Sequence, residues 1–383
     1  MTTWFLGVVR MSKNAETRKP RQANWDLLRV LSMYLVVAVH TVPSLPFFSG
    51  TRLGNAAVGL CMVCDPVFFM LSGYFAIRSP RGGLGEYYAR KASTVVLPLI
   101  VYSAVLYVVL NWSSLSLGGY LSLFLAYLGG YWWFVPALVP YLLLAPFLYR
   151  MLEALDDRWV KRLSILCLAL FGWGVVSHLL VYAAGLIDRP GLANLVSIVA
   201  YCVPTEPLTG YFPTFVMGYL YRRLSGTLSE RAKRRAAGAG VGALLLSALL
   251  SGLGVPQDDP NQIWVLAAFG LMFAFELVRV PEGAFSRMVV WAAKRSFSIY
   301  LLHYALILER LKAGEGWAAL TEWLSGLPVL PGVLMGVMVP VGVFALALLA
   351  ASVLDPLVLA NAQKLFDKLV AAWRRPRERR NVA

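Results

Sequence analysis

The sequence predicts an all-α polytopic membrane protein with about ten transmembrane helices, short re-entrant or interfacial segments, and cytoplasmic N- and C-termini. The first observation is composition, since 59% of the 383 residues are hydrophobic and 14% are charged, against about 45–50% and 25% in soluble domains. The second is the content of 12 Trp and 18 Tyr, which suits aromatic belts at two membrane interfaces. The third is the alternation of long apolar runs with basic loops.

Ten apolar runs are long enough to cross a bilayer. Their approximate ranges are 27–47, 54–77, 94–112, 132–150, 163–186, 208–223, 236–254, 262–279, 296–311 and 329–353. Two more apolar pieces, 118–130 and 192–204, are short and have Gly, Pro or polar flanks. If both crossed, the basic loops would fall on opposite sides, so we interpret them as re-entrant or interfacial segments. The chain then divides into a basic N-terminal segment 1–23, a transmembrane domain 24–355 and a basic tail 356–383.

Basic residues define the orientation. Nearly all of the 35 Lys and Arg residues lie in the N-terminal segment, in the loops after even-numbered spans, or in the tail. The other face carries only Arg52, Arg189, Arg310 and Lys312. This bias places both termini in the cytoplasm of a multi-pass protein of the cell inner or plasma membrane. It also accounts for the net charge of +15, which argues against a nucleic-acid partner, and we expect the tail to lie on anionic lipid headgroups.

The cysteine and histidine content argues against a metal or disulfide-based protein. All 4 Cys residues lie in apolar stretches, so no disulfide framework is indicated. The 3 His residues are scattered and lack clustered carboxylates, which makes a poor metal site, and no metal is expected. His178 in the fifth span has no accompanying motif, and we interpret it as structural.

The first span carries two ionisable groups on one helix face. Arg29 lies near the inner end and His40 well inside the span, and ionisable residues within membrane helices mark functional sites. Eleven residues at about 100° each bring both to the same face, roughly 16 Å apart along the axis. Asp26 falls on the same side as Arg29. This face therefore offers a cation near the membrane surface and an imidazole near mid-depth.

Asp65 in the second span lies at about the same depth as His40. His40 is 13 residues from Leu27, and Asp65 is 12 residues from Ile77, which are the inner ends of their spans. A carboxylate beside an imidazole fixes its tautomer and raises its basicity. We therefore predict that Asp65 orients His40 as a general base. The alternative is that Asp65, which precedes Pro66, bonds a carbonyl freed at a helix kink.

Three further groups are candidate contacts for ligands. His303 lies a turn or two inside the ninth span, where it either contacts substrate or cofactor or serves in packing. Ser72 and Gly73 fall at the depth of Arg29, where a ligand from the cytoplasm needs room, although small residues also allow close helix packing. A sugar on the outer side has four candidate contacts, which are otherwise interfacial residues: Trp132, Trp133, Glu206 and Tyr211.

Five motifs resemble, in order, those of the membrane acyltransferase 3 family. They are Asp26-Leu-Leu-Arg29 with His40, similar to the Arg-x10-His signature of the first helix; Phe68-Phe-Met-Leu-Ser72-Gly73-Tyr74; Tyr88-Ala-Arg90-Lys91 ahead of Pro98; Trp133-Phe134 with Tyr141 and Pro146; and Ser298-Ile-Tyr-Leu-Leu-His303. The similarity extends from about residue 24 to residue 355. The family often has Arg-x-x-Arg at the third helix, whereas here Ser93 follows Arg90 and Lys91 is the neighbouring cation.

The resemblance implies transfer of an acyl group, commonly acetyl from acetyl-CoA, to a hydroxyl or amine of a cell-envelope glycan or similar acceptor. CoA is anionic and cytoplasmic, so its phosphates would meet Arg29, Arg90 and Lys91 at the inner face, beside Ser72 and Gly73. The thioester would then reach His40, which either deprotonates the acceptor or carries the acyl group itself.

The acceptor is expected from the outer half of the membrane. Its candidate contacts are Trp133, Tyr141, Glu206 and His303. A competing class is a proton-coupled transporter or flippase of a lipid-linked glycan, in which His40 and Asp65 couple to protons and the two short apolar pieces are broken helices. A membrane sensor or scaffold is a third class, but it gives no reason for a buried His40.

Overall fold

The structure, a computed structural model, describes residues 22–186, 189–201 and 210–380. All regular structure in these ranges is helical. The α-helices are α1 Ala23–Thr41, α2 Arg52–Cys61, α3 Cys64–Ala76, α4 Leu84–Lys91, α5 Leu97–Leu110, α6 Leu117–Gly129, α7 Phe134–Glu153, α8 Asp157–Gly185, α9 Pro190–Tyr201, α10 Tyr211–Ser225, α11 Glu230–Gly252, α12 Gln262–Leu277, α13 Ala284–Ala293, α14 Ser296–Leu302, α15 Glu309–Ala313, α16 Glu315–Ser325, α17 Val329–Leu354 and α18 Ala360–Arg380.

Seven helical stretches in the described part of the chain are long and apolar enough to cross a bilayer. They are Ala23–Ser44, Arg52–Ala76, Leu84–Leu110, Phe134–Glu153, Asp157–Gly185, Glu230–Gly252 and Val329–Trp373. Each coincides with one of the ten predicted spans. The other three predicted spans fall on α10, on α12 and on the helix that starts with α14, which are shorter; the count of ten is therefore not confirmed. The pieces 118–130 and 192–204 form short helices, α6 and α9.

The outside of the bundle is apolar. Large aliphatic side chains stay exposed on several helices, for example Val109 of α5, Leu125 of α6 and Leu349 of α17. A contiguous exposed apolar surface of this kind is not stable against water. These side chains therefore face lipid, which agrees with a multi-pass membrane protein.

Glycines allow the closest helix crossings. A Cβ atom added to Gly73 of α3 would lie 1.7 Å from the backbone oxygen of Phe215 in α10. A Cβ added to Gly218 of α10 would lie 2.0 Å from the backbone oxygen of Met70. Small residues at such crossings let two backbones approach in a membrane. The contact fixes α3 and α10 against each other.

The second predicted span is broken in its middle. The helix α2 ends at Cys61 and α3 begins at Cys64, directly before Asp65 and Pro66. Proline supplies no backbone N–H and fixes its own φ angle, so a helix tends to begin at or near it. Asp65 is consequently a residue of the first turn of α3 rather than of a continuous helix.

Three π-helical segments interrupt the helices around α1. They are Ala92–Val96 between α4 and α5, His303–Leu308 between α14 and α15, and Asp355–Leu359 between α17 and α18. Each begins at or beside an ionisable residue, namely Lys91, His303 and Asp355. Segments of this kind inside α-helices frequently occur at functional sites. The helix α1 packs against α14 and α17 and also contacts the segment His303–Leu308, so it meets one of these interruptions directly.

Candidate active site

His40 lies in the last turn of α1 and faces the ninth predicted span. Its ring centroid is 5.5 Å from that of His303 and 5.0 Å from that of Tyr304, which meets it edge-on. The Lys312 ammonium group donates a hydrogen bond of 3.3 Å to the backbone oxygen of His40. Neither ring nitrogen of His40 has a hydrogen-bond partner among the described residues. The structure thus pairs two of the three histidines.

His303 is almost completely enclosed, with 1% of its surface exposed. It is the first residue of its π-helical segment. Its Nδ1 atom lies 2.8 Å from the backbone oxygen of Tyr300 and 3.2 Å from that of Ile299. Its buried Nε2 atom has no hydrogen-bond partner among the described residues. A buried polar atom without a partner is rare and needs an explanation.

Asp65 does not contact His40, which corrects the predicted pairing. The Cys64 thiol donates to Oδ1 of Asp65 at 3.6 Å, and Asp65 interacts electrostatically with Asp259, which accepts a hydrogen bond from the Tyr211 hydroxyl. The predicted match in depth is not enough, because depth does not determine the direction of a side chain around its helix axis. The helix break before Asp65 also removes the continuous helix on which that comparison relied. A catalytic role for Asp65 stays a prediction.

A group of aromatic rings surrounds Phe69 of α3. The Tyr211 ring stacks on Phe69 at 4.2 Å, and Tyr141 lies at 5.8 Å. Trp133 approaches Tyr211 at 5.6 Å. Two of the predicted acceptor contacts, Trp133 and Tyr141, are therefore neighbours in one cluster. We call Phe69, Trp133, Tyr141 and Tyr211 the aromatic cluster.

Two other predicted contacts for a sugar are Trp132 and Glu206. Trp132 is buried, and its indole N–H donates to the backbone oxygen of Leu301 at 3.2 Å. That bond links the start of α7 to α14 and leaves Trp132 as a structural residue. Glu206 lies outside the described residues.

A groove of about 440 Å³ opens between the end of α3 and the start of α5. Four cationic side chains line it: Arg78, Arg81, Arg90 and Lys91. Arg90 forms an ion pair with Glu86 and donates to the backbone oxygen of Arg81 at 2.7 Å. We call this the cationic groove. Arg78 and Arg81 were not among the predicted ligand contacts, although their position in the same short loop as Arg90 was a usable signal.

Arg29 reaches the edge of the cationic groove through one aromatic ring. Its guanidinium carbon lies 5.3 Å from the centroid of Phe75, and that of Arg78 lies 5.3 Å from the same ring. Phe75 itself lines the groove. Arg29 also forms an ion pair of 3.3 Å with Asp26. The structure therefore places the cations Arg29, Arg90 and Lys91 in a single region; their role in binding a ligand stays a prediction.

The space beside Gly73 is occupied by the backbone of α10. The 1.7 Å separation from the backbone of Phe215 leaves no volume next to the Gly73 Cα atom. The helix-packing alternative explains this glycine, and its assignment as a cofactor contact has no support in the structure. Ser72 is partly exposed, and its assignment stays a prediction.

An unpredicted polar cluster joins α5, α14 and the π-helical segment at Asp355. The Asp355 carboxylate accepts hydrogen bonds from the hydroxyl groups of Tyr102 and Ser298. Close by in the chain, the Ser296 hydroxyl is buried and has no hydrogen-bond partner within the described ranges. An acidic residue at the end of an apolar span, followed by Pro356, was a signal for Asp355 that the sequence offered.

These features define an integral membrane protein with an intramembrane imidazole pair and a cationic groove. A family model described as an acyltransferase domain matches residues 22–354. The chain belongs to this family, the acyltransferase 3 family, and is thus a membrane acyltransferase. Among curated proteins and among solved structures, no match to the chain is found.

Proposed function

We propose that this protein transfers an acetyl group from cytoplasmic acetyl-CoA to a hydroxyl group of a cell-envelope glycan or similar acceptor. The observation that carries the proposal is the placement of the two ends of α1. Arg29, near one end, shares the Phe75 ring with Arg78 of the cationic groove. His40, near the other end, contacts His303. An extended acyl-CoA has an anionic end and a thioester end, so it fits such a bipolar site.

The cationic groove suits the phosphate groups of CoA. Guanidinium groups bind phosphate oxygens through paired, charge-assisted hydrogen bonds, and Lys91 adds a point charge. Arg78 and Arg81 are exposed, so their donors remain accessible to a ligand. Several cations together are needed, because CoA carries more than one phosphate group.

The proposed chemistry centres on His40. As a general base, His40 takes the proton of the acceptor hydroxyl, and the acceptor oxygen attacks the thioester carbonyl carbon. The carbon–sulfur bond then breaks, and the sulfur takes the proton back from the imidazolium. The products are the acetyl ester and CoA with a free thiol. In the alternative route His40 attacks the carbonyl carbon and carries the acetyl group before passing it to the acceptor.

The aromatic cluster supports a carbohydrate acceptor. Trp and Tyr side chains combine a flat apolar face with a polar edge, which suits the mixed surface of a sugar ring. Trp133 and Tyr141 lie within this cluster. A series of ring contacts leads from the cluster to His303: Phe69 to Phe134 at 4.6 Å, Phe134 to Tyr300 at 5.8 Å, and Tyr300 to His303 at 6.1 Å. A glycan hydroxyl approaching past the aromatic cluster would arrive at the imidazole pair.

The test is hydrolysis of acetyl-CoA, with water as the acceptor and CoA release as the signal, by purified protein in detergent, for the wild type, His40→Ala and a control. His178→Ala is the matched control, because His178 is also a membrane histidine but lies on α8, where its Nε2 atom contacts the backbone oxygen of Pro256 at 2.7 Å. We expect turnover in the wild type and in the control, and loss of at least about 100-fold in His40→Ala.

Equal turnover in His40→Ala and the wild type would contradict the mechanism. If the wild type neither binds nor consumes acetyl-CoA, the donor assignment is wrong, and proton-coupled glycan transport becomes the function to assay. A single-turnover experiment with radiolabelled acetyl groups separates the two chemical routes, because only the second leaves label on the protein.

A further inference from the structure

We propose that His303 is the positioning partner of His40, the role that was predicted for Asp65. In this arrangement the Nε2 atom of His303 accepts a hydrogen bond from a ring N–H of His40. The His40 nitrogen on the opposite side of the ring then faces the acceptor hydroxyl. The inference rests on the proposed acetyl transfer.

The backbone determines the tautomer of His303. The Nδ1 atom lies within hydrogen-bond distance of two backbone carbonyl oxygens, those of Tyr300 and Ile299. Carbonyl oxygens only accept hydrogen bonds, so Nδ1 must carry a proton. In a neutral imidazole the proton on Nδ1 leaves Nε2 as the acceptor. His303 therefore presents a lone pair, not a donor, on its Nε2 side.

The imidazole of His303 lies where the α-helix changes to a π-helical segment. A regular α-helix uses the carbonyl of each residue for the N–H four positions later. The backbone oxygen of Ile299 still accepts the backbone N–H of His303, and the wider turn begins at His303 itself, so the Tyr300 oxygen, at 2.8 Å, is the closer acceptor for Nδ1. The irregular backbone and the carbonyl contacts of the ring therefore occur at the same residue.

The lone pair of Nε2 needs a donor, and the neighbouring ring supplies one. Nε2 is buried and has no partner among the described residues, which is an unfavourable state for a polar atom. The His40 ring lies 5.5 Å away between centroids, tilted by 35°. Hydrogen bonds between catalytic groups are often long in a site without substrate and shorten when substrate binds.

The other groups around His40 do not offer this acceptor. Lys312 is a donor and is engaged with the backbone oxygen of His40. The Tyr304 ring meets His40 edge-on at 5.0 Å, and Asp65 accepts from the Cys64 thiol. A neutral imidazole acceptor also avoids a fixed negative charge next to a thioester, which a carboxylate would bring into the low-dielectric interior.

The proton balance of the reaction is unchanged by this partner. His40 takes the acceptor proton on one ring nitrogen while its other N–H stays bonded to His303. The same proton passes to the CoA sulfur when the carbon–sulfur bond breaks, so His303 neither gains nor loses a proton. Its role is to hold the His40 tautomer and ring orientation.

Two substitutions of His303 separate its two ring nitrogens. The amide nitrogen of Asn falls near the Nδ1 position, so His303→Asn keeps a donor for the backbone carbonyls and removes the Nε2 acceptor. The amide of Gln extends to the Nε2 position, so His303→Gln keeps an acceptor for His40. We expect kcat to fall about 100-fold or more in His303→Asn and less than about 10-fold in His303→Gln, with KM for acetyl-CoA unchanged in both.

The opposite order, an active His303→Asn and an inactive His303→Gln, would overturn the inference, because it would assign the role to the Nδ1 bond alone. Equal activity of both variants and the wild type would also overturn it. In each case wild-type turnover that depends on His40 would leave the proposed function intact. An inactive wild type would instead reject the proposed function itself.

A measurement on the unaltered protein covers the case in which both variants misfold. The chain has 3 His residues, so nitrogen-15 labelling of histidine in protein purified without a histidine tag gives a resolvable spectrum. We expect His303 as the Nδ1-protonated tautomer with a hydrogen-bonded Nε2 acceptor. An Nε2-protonated His303, or an Nε2 signal without a hydrogen bond when acetyl-CoA is bound, would refute the pairing.

Discussion

At the residue scale, Lys312 holds the end of α1 in place. The last carbonyl groups of a helix have no partner within the helix and carry partial negative charge. The Lys312 ammonium group donates to one of them, the backbone oxygen of His40, and lies 5.9 Å from the centroid of Tyr304. One cation therefore connects the backbone of the candidate base to the ring that packs against its imidazole.

Substitution of Lys312 by Met is expected to loosen the last turn of α1. The variant loses a charge-assisted hydrogen bond, typically worth about 1.5–3 kcal/mol, while the apolar part of the side chain is kept. We expect kcat to fall by about 10-fold with KM for acetyl-CoA unchanged. Arg310→Met is the matched control, since Arg310 is a neighbouring exposed cation of α15. Equal effects of the two substitutions on kcat would contradict a specific role of Lys312.

Sequence reasoning found several residues of the site but not their partners. Arg29 and His40 stand out because ionisable residues are costly in a membrane helix, and His303 belongs to a motif. The pairing of His40 with His303 joins distant parts of the chain and depends on a π-helical segment, which has no recognisable sequence pattern. Asp65 shows the reverse case, in which a prediction from depth alone named a partner that Asp65 does not contact in the structure.

At the element scale, the cationic groove is formed by the short connection between α3 and α4 and by the turns that follow. Gly82 and Gly83 have φ angles of 73° and 88°, a region that favours glycine. They lie in the turn between Arg81 and α4, and the residues on both sides of this turn, Arg78 and Arg81 before it and Arg90 and Lys91 after it, line the same groove. The Glu86 carboxylate pairs with Arg90, so the four cations keep an excess of positive charge, which favours an anionic ligand.

Neutralising the exposed cations of the groove is expected to weaken donor binding and to leave the chemical step intact. For Arg78→Gln and Arg81→Gln we expect KM for acetyl-CoA to rise about 10-fold each, with kcat retained and the effect smaller at high salt. Arg287→Gln on α13 is the control, because Arg287 is exposed and does not line the groove. Unchanged KM in both groove variants would reject the phosphate assignment.

Apolar runs were sufficient to predict most of the helices, because a segment that crosses a membrane must pair its backbone N–H and C=O groups with each other, as an α-helix does. The interruptions within them were not predictable in the same way. The break at Met62 and Val63 and the π-helical segment at Asp355 leave hydropathy unchanged. Gly73 was ambiguous for a related reason, since a small residue leaves room for either a ligand or a second helix, and the position of α10 favours the second helix.

At the scale of the whole molecule, the distribution of charge predicts the orientation in the membrane. The cationic groove contains residues that the positive-inside rule places in the cytoplasm, whereas Lys312, next to His40, belongs to the sparsely basic face. The proposed reaction therefore takes its donor from one side of the membrane and its acceptor from the other.

Single cysteines in two exposed loops test this orientation. Ala154→Cys lies between α7 and α8 on the expected cytoplasmic side, and Ser114→Cys lies between α5 and α6 on the expected outer side. A membrane-impermeant maleimide added to intact cells should label Ser114→Cys and not Ala154→Cys, and inverted vesicles should give the reverse. Labelling of Ala154→Cys in intact cells would show that the assigned orientation is wrong.

The helical stretch from Val329 to Trp373 has a practical consequence for imaging. Its 45 residues have a length of roughly 67 Å at 1.5 Å per residue, more than twice the hydrocarbon thickness of a bilayer, about 30 Å. The helix continues through the π-helical segment at Asp355 without a loop. A helical fusion partner joined in register to its end would therefore move with the bundle. Particle alignment in electron cryomicroscopy requires such a rigid external marker for a membrane protein of 42.2 kDa.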